Sequence, residues 1–118
     1  MDGDAATLLP DVAAIRAAQA RIASHVHRTP VLTCAALDEE TGARLFFKCE
    51  NFQKVGAFKA RGASNAVFSL RDDEARHGVA THSSGNHGAA VAYAAARRGI
   101  PAWVVMPENS AKVKQDNV

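Results

Sequence analysis

Aromatic side chains are scarce in this chain, with one Trp, one Tyr and five Phe making up 6% of 118 residues. A core with few rings must be filled by aliphatic side chains and by close Ala and Gly contacts. Cysteine is scarcer still. Two thiols, Cys34 and Cys49, exclude a secreted disulfide scaffold, and Cys49, ending the run Leu45-Phe46-Phe47-Lys48-Cys49, reads as a small buried hydrophobe. There is no C-x-x-C pair, and His25-x-His27 at a helix end has no second pair of ligands, so no metal site is expected. Charge of one sign is also missing: 14 Lys+Arg against 12 Asp+Glu give +2, spread along the chain. That excludes the basic stripe of a nucleic-acid binder. No apolar run approaches the roughly 20 residues that cross a bilayer. The acidic start, Met1-Asp2-Gly3-Asp4, lacks the basic and then apolar order of a secretory leader. The expectation is one cytoplasmic soluble unit over residues 1–118 with residues 1–8 disordered.

The patterning is richer. Pro10 to about His25 is expected to be a helix with Val12, Ile15, Ala18, Gln19 and Ile22 on one face and Pro10 near its first position. Arg28-Thr29-Pro30 ends it, and Val31-Leu32 is expected as a short strand. Leu37–Thr41 reads as a turn, polar or helical, closed by Gly42, and Arg44–Glu50 has strand composition. A loop over 51–56 leads to a helix over about 58–70, followed by a short helix or turn ending at Gly78. From there the order is strand (79–82), polar turn (83–88), Ala-rich helix (89–98) stopped by Gly99, strand (102–106) with Trp103 in the core, and a helix opening at Pro107. The last helix is expected to run to Val118, as in a chain cut within an element. Alternating strands and helices with short connections give α/β, a parallel sheet with helices on both faces.

Two segments carry chemistry. Ser83-Ser84-Gly85-Asn86-His87-Gly88 joins a strand's C-terminal end to a helix N-terminus, where open α/β sheets place ligands. Unpaired N–H groups and the positive dipole end suit an anion such as a carboxylate. An ordinary Ser N-cap accounts for the same letters, and on this segment alone both readings stand. Gly85-x-x-Gly88 is neither a dinucleotide fingerprint nor a Walker loop. In the second segment, Phe52-Gln53-Lys54-Val55-Gly56-Ala57-Phe58-Lys59-Ala60-Arg61-Gly62, Lys59 opens a helix. An ammonium is electrostatically misplaced there, which favours the free amine able to attack a carbonyl. A solvated surface lysine is the plain alternative. His82, in the strand, reads as a packed residue and not as a base.

Taken together, in this order and spacing, the two segments closely resemble the fold-type II pyridoxal-phosphate enzymes, the serine/threonine dehydratases, serine racemases and hydroxyaspartate dehydratases above all. His27-Arg28-Thr29-Pro30-Val31-Leu32, Phe47-Lys48-Cys49-Glu50, Gly99-Ile100-Pro101-Ala102 and Met106-Pro107 agree, so the resemblance runs from about residue 11 onward. It implies the N-terminal part of the two-domain, tryptophan-synthase-β-like fold with pyridoxal 5'-phosphate as cofactor. Lys59 matches the lysine that carries the cofactor and takes the Cα proton on one face. Phe58 matches the aromatic neighbour of the cofactor ring, and Asn86 the asparagine that bonds its hydroxyl. Ser83, Ser84, Asn86 and His87 match the loop that holds the substrate carboxylate. Ser84 also matches the acid of the opposite face that racemases carry and biosynthetic threonine dehydratases usually lack.

The activity so implied is deamination of L-serine or L-threonine type β-hydroxy amino acids to a 2-oxo acid and ammonia, with serine racemisation beside it. The implied full-length form is a homodimer that acts on a small amino acid, away from nucleic acid and membrane. The family's glycine-rich phosphate loop, its later contact to the pyridine nitrogen and its divalent-cation ligands are not among these 118 residues. Alone, the chain is therefore expected to hold the cofactor weakly or not at all and to be inert. Two alternatives remain: an idle remnant or binding module, and a cysteine-synthase-like β-replacement enzyme, against which His87 argues where those usually have Thr.

Overall fold

The computed structural model describes residues 9–118, so the disorder expected of residues 1–8 lies outside the described residues. Helix α1 spans Val12–Ile22. Its N-cap is Asp11, whose carboxylate accepts from Ala14 N at 2.7 Å, so Pro10 precedes the cap instead of opening the helix. Strand β1 (Val31–Leu32) pairs antiparallel with β2 (Phe47–Lys48), and between them α2 (Ala35–Thr41) ends on left-handed Gly42. The strand expected over 44–50 is thus two residues long. Its partner β1 is equally short, and beyond it Cys49 N donates to Pro30 O at 3.0 Å before the chain tightens into 3-10 turns at Glu50–Phe52 and Lys54–Gly56.

Helix α3 (Lys59–Ser69) and the short α4 (Asp72–Ala75) lead to strand β3 (Val79–His82). Helix α5 (Asn86–Arg98) then crosses to β4 (Ala102–Val105), parallel to β3. The core is the seam of α3 and α5, where Ala63 and Val67 meet Ala90, Val91 and Ala94, with Val79 and Ile100 packed against them. Small side chains let these helices approach closely, as the scarcity of rings requires. Arg98, in the last turn of α5, donates to Val67 O and Leu70 O at the end of α3. The two helices therefore run in the same direction, with their N-termini at one end of the molecule.

Several apolar residues expected to be covered are not. Trp103 is 56% exposed and Val105 61%. The register pairs Ala80 with Trp103 and His82 with Val105 on one face, and all four are exposed. Alpha-5 packs on the other face, that of Val79, Thr81 and Val104. His82 is therefore not a packed residue among the described residues. Val12 and Ile15 are exposed too, and of the α1 face only Ile22 is buried. Periodicity finds an apolar face without saying what lies on it. The closing helix α6 (Lys112–Asp116) begins five residues after Pro107 and ends at Asp116, with Asn117 as C-cap. No helix of the described residues is long and apolar enough to cross a membrane.

Candidate active site

Helix α5 starts at Asn86, three residues ahead of the Ala-rich run, and the Ser83 hydroxyl is the reason. Ser83 Oγ accepts from Gly85 N at 3.2 Å and Gly88 N at 3.1 Å, which folds the polar turn into the first helical turn. The backbone N–H of Ser83 is tied to Val105 O at 3.0 Å, so the turn hangs from the end of the sheet. A side chain at Gly88 would meet Ser83 O and Val104 Cγ1, each at 3.0 Å, so glycine lets the turn close on β4. The N–H groups of Asn86 and His87 have no hydrogen-bond partner among the described residues. Asn86 and His87 are exposed, while Ser83 and Ser84 are half-buried. The donor set is one that an anion would satisfy.

A cleft of about 230 Å³ opens at this helix end, lined by Val55, Gly85, Asn86, Ala89, Lys114 and Asn117. Residue reasoning missed three of these. Lys114 brings a cation to the cleft, and no motif marked it. Lys59 and Phe58 do not line the cleft. They stand exposed at the neighbouring end of α3, with Lys59 Nζ 5.2 Å from the centroid of the Phe58 ring. Because α3 and α5 run in the same direction, Lys59 and the Ser83–Gly88 turn belong to the same end of the molecule. The structure brings Ser83, Ser84, Asn86 and His87 together at one helix end and places Phe58 and Lys59 at the adjacent one.

On the other side of α3 from Lys59 is a polar frame that the sequence did not reveal. On α3, Lys59 and Arg61 are about 200° apart, so they flank the buried stripe of Ala60, Ala63, Ser64 and Val67 on opposite sides. Arg61 forms a forked pair with Glu50, Nε to Oε2 at 2.8 Å and Nη2 to Oε1 at 2.7 Å, and also reaches His27 O at 3.2 Å. Thr29 donates its hydroxyl to Glu50 Oε1 at 2.5 Å, and Lys48 Nζ donates to Thr29 O at 2.7 Å. Cys49 beside this frame is half-buried and free. Among the described residues, no group of His, Cys, Asp and Glu could hold a metal ion.

The Arg61 guanidinium, helped by the Thr29 hydroxyl and by the Lys48 charge, overrides the cost of burial and holds the Glu50 carboxyl down at about 2 against an ordinary 4.5. The folded value lies below the unfolded one, so Glu50 stabilises the fold above about pH 4.5 and loses that contribution as pH falls toward about 2. Its side chain is 20% exposed, which discounts the full shift to about 1–2 kcal/mol. Asp73 is also held below its ordinary value by Arg71, so a variant is needed to isolate Glu50. Urea unfolding at a series of pH values should show wild type and Glu50→Gln converging by that amount toward the acid end. Parallel curves would show that the pair is not coupled to folding.

The residues also suit an aldehyde cofactor: an exposed primary amine on one helix end, and unpaired N–H groups with two hydroxyls and an amide on the next. Comparison with known proteins points the same way. Residues 22–118 match the family described as pyridoxal-phosphate dependent enzyme. The chain is 63% identical over 108 residues to a serine racemase of Oryza sativa subsp. indica, covering 92% of this chain and 32% of that protein. It is 56% identical over 110 residues to a beta-hydroxyaspartate dehydratase of Paracoccus denitrificans, covering 93% and 35%. The structure of maize serine racemase superposes with a TM-score of 0.90 at 59% identity, over 92% of this chain and 33% of that one. The chain thus spans about a third of the length of the relatives it matches.

Proposed function

Because this chain belongs to the pyridoxal-phosphate-dependent enzyme family, with the fold of the N-terminal part of its fold-type II members, we propose that the protein deaminates a small β-hydroxy amino acid of the serine, threonine or 3-hydroxyaspartate type. The products are ammonia and a 2-oxo acid, with racemisation at Cα as the second outcome. The observation that supports this reading is that α3 and α5 run in the same direction, so that Lys59 and the unpaired N–H groups of the Ser83–Gly88 turn lie at the same end of the helix pair. The names borne by the similar proteins, serine racemase and beta-hydroxyaspartate dehydratase, support the substrate class.

Bound pyridoxal phosphate supplies an electron sink for negative charge at Cα. The remaining work falls to the chain. Lys59, Asn86 and Phe58 would hold the cofactor, and the incoming substrate amine would displace the Lys59 amine and leave it free to act as a base. The backbone N–H groups of Asn86 and His87, with the Ser83 hydroxyl, orient the substrate carboxylate, which keeps the Cα–H bond facing Lys59. Lys59 Nζ takes that proton. Departure of the β-hydroxyl as water leaves aminoacrylate, which water converts to the 2-oxo acid and ammonia. If Ser84 Oγ returns a proton on the opposite face first, the D-amino acid forms instead. A cytoplasmic setting and a homodimer belong to the same proposal, the former supported by two free thiols.

The test uses the full-length protein with pyridoxal phosphate and L-serine, L-threonine or 3-hydroxyaspartate, measuring 2-oxo acid, ammonia and D-amino acid. Release of 2-oxo acid and ammonia in equal amounts from at least one substrate is expected; release from none of them refutes the reading. Ser84→Ala is expected to lose D-amino acid formation by about tenfold or more while elimination persists. Equal loss of both activities would remove Ser84 from its separate role.

A further inference from the structure

Between the polar frame and Lys59 lies a backbone conformation that needs a cause. Val55 has φ 55° and ψ 16°, and it is the one non-glycine residue at positive φ among the described residues. Left-handed backbone is costly for a β-branched side chain and persists only where its surroundings impose it. Gly56 follows at φ 67°. Two residues later the chain reaches Phe58 and enters α3 at Lys59, while Val55 itself lines the cleft beside Gly85, Asn86 and Ala89. The direction in which Lys59 leaves the loop is set by this turn.

One side chain anchors the turn. Gln53 is 4% exposed, and its carboxamide makes three of the four hydrogen bonds open to it. Oε1 accepts from His27 N and from Lys54 N, each at 2.8 Å, and Nε2 donates to His27 O at 2.8 Å. The main chain closes the turn with Gly56 N donating to Gln53 O at 2.9 Å. The side chain thus reads both backbone groups of a residue 26 positions earlier and the first N–H of the turn at once. Removing it leaves the N–H groups of His27 and Lys54 without partners in a half-buried place and His27 O with only the longer bond from Arg61, which is costly.

We infer that Gln53 is a positioning residue for Lys59: by tying His27 to Lys54 it imposes the left-handed Val55–Gly56 turn from which the amine enters α3. The inference rests on the reading of Lys59 as the cofactor-bearing lysine, and its test separates the two. Gln53→Ala, Gln53→Glu, Val55→Gly and the Gln53→Ala/Val55→Gly pair are made in the full-length protein. Three quantities are read: the dissociation constant for pyridoxal phosphate, the pH profile of Lys59 labelling by an amine reagent in cofactor-free protein, and the thermal midpoint.

Gln53→Ala is expected to weaken cofactor binding by about tenfold or more and to change the Lys59 labelling profile. In Gln53→Glu one carboxylate oxygen keeps the two N–H bonds while the other confronts the His27 carbonyl. Neutralised, the acid regains the amide's donor, so its defect relative to wild type should disappear as pH falls. Glycine reaches φ 55° unaided, so Val55→Gly should recover at least about threefold of the Gln53→Ala loss. If Gln53→Ala does not fold, the pH series on Gln53→Glu decides alone. The inference fails if Gln53→Ala lowers the thermal midpoint but binds cofactor and labels like wild type. It fails equally if neither acid nor Val55→Gly restores binding. If instead Lys59→Ala binds like wild type, the reading of Lys59 is what has failed.

Discussion

Lys59→Ala is expected to lower the full-length protein's affinity for pyridoxal phosphate by more than about a hundredfold, a loss of about 3 kcal/mol, and to remove the visible absorption that the cofactor gains on binding. Only a primary amine can hold the cofactor's aldehyde covalently, and the lysines on α3 and in the segment before it are not equivalent; Lys114, which lines the cleft, is the further amine that a Lys114→Ala control addresses. Lys48 is committed to Thr29 O at 2.7 Å. Lys54 sits within the 3-10 turn, before the left-handed residues, and its own N–H is bound by Gln53. Lys59 opens α3 and forms no ion pair among the described residues. Lys54→Ala should therefore retain the visible band and Lys59→Ala should not. Absorbance titrations of the two variants beside wild type make the comparison. A band that survives Lys59→Ala and disappears in Lys54→Ala would move the attachment to the wrong side of the turn and undo the account of Val55.

Motif spacing made the two chemical segments legible, along with the β3–α5–β4 unit, since short strands, Gly stops and an Ala-rich helix are written in local chemistry. The extent of α5 was not. Asn86, His87 and Gly88 are poor helix formers, and only the three-dimensional placement of Ser83 Oγ over Gly85 N and Gly88 N makes them helical. The polar frame was hidden for a related reason. Thr29, Lys48, Glu50, Gln53 and Arg61 are all residue types of ordinary surfaces, and their partners lie 11 to 26 positions away for Glu50, Thr29 and Gln53. Nothing in a single sequence marks such pairs. Val55 shows the limit most clearly, because composition argues against the conformation it adopts. A locally disfavoured backbone beside a candidate site is where local and global preference are expected to part.

Gly78→Ala should be the most damaging small change outside the candidate site, at roughly 2–5 kcal/mol. Two effects add. Gly78 has φ +77°, a region costly to any residue with a Cβ. The added carbon would also lie 2.6 Å from Pro101 O and from Trp103 Cζ3. The ring could rotate away, but the carbonyl cannot, because Pro101 O accepts the Val79 N–H at 3.0 Å where β3 begins against β4. Relief would have to come from parting the two strands, and the Ser83–Gly88 turn hangs from their far end. Gly42 provides the comparison that separates the effects. It has φ +67° with nothing within 4 Å of an added carbon, so Gly42→Ala should cost only the backbone term, about 1 kcal/mol. Denaturant unfolding of both variants in the full-length protein, followed by circular dichroism, measures the difference. Equal costs would mean that the contact with Pro101 is absorbed without moving the strands, and that their spacing at the Gly78 end is not what fixes the helix end that carries Asn86.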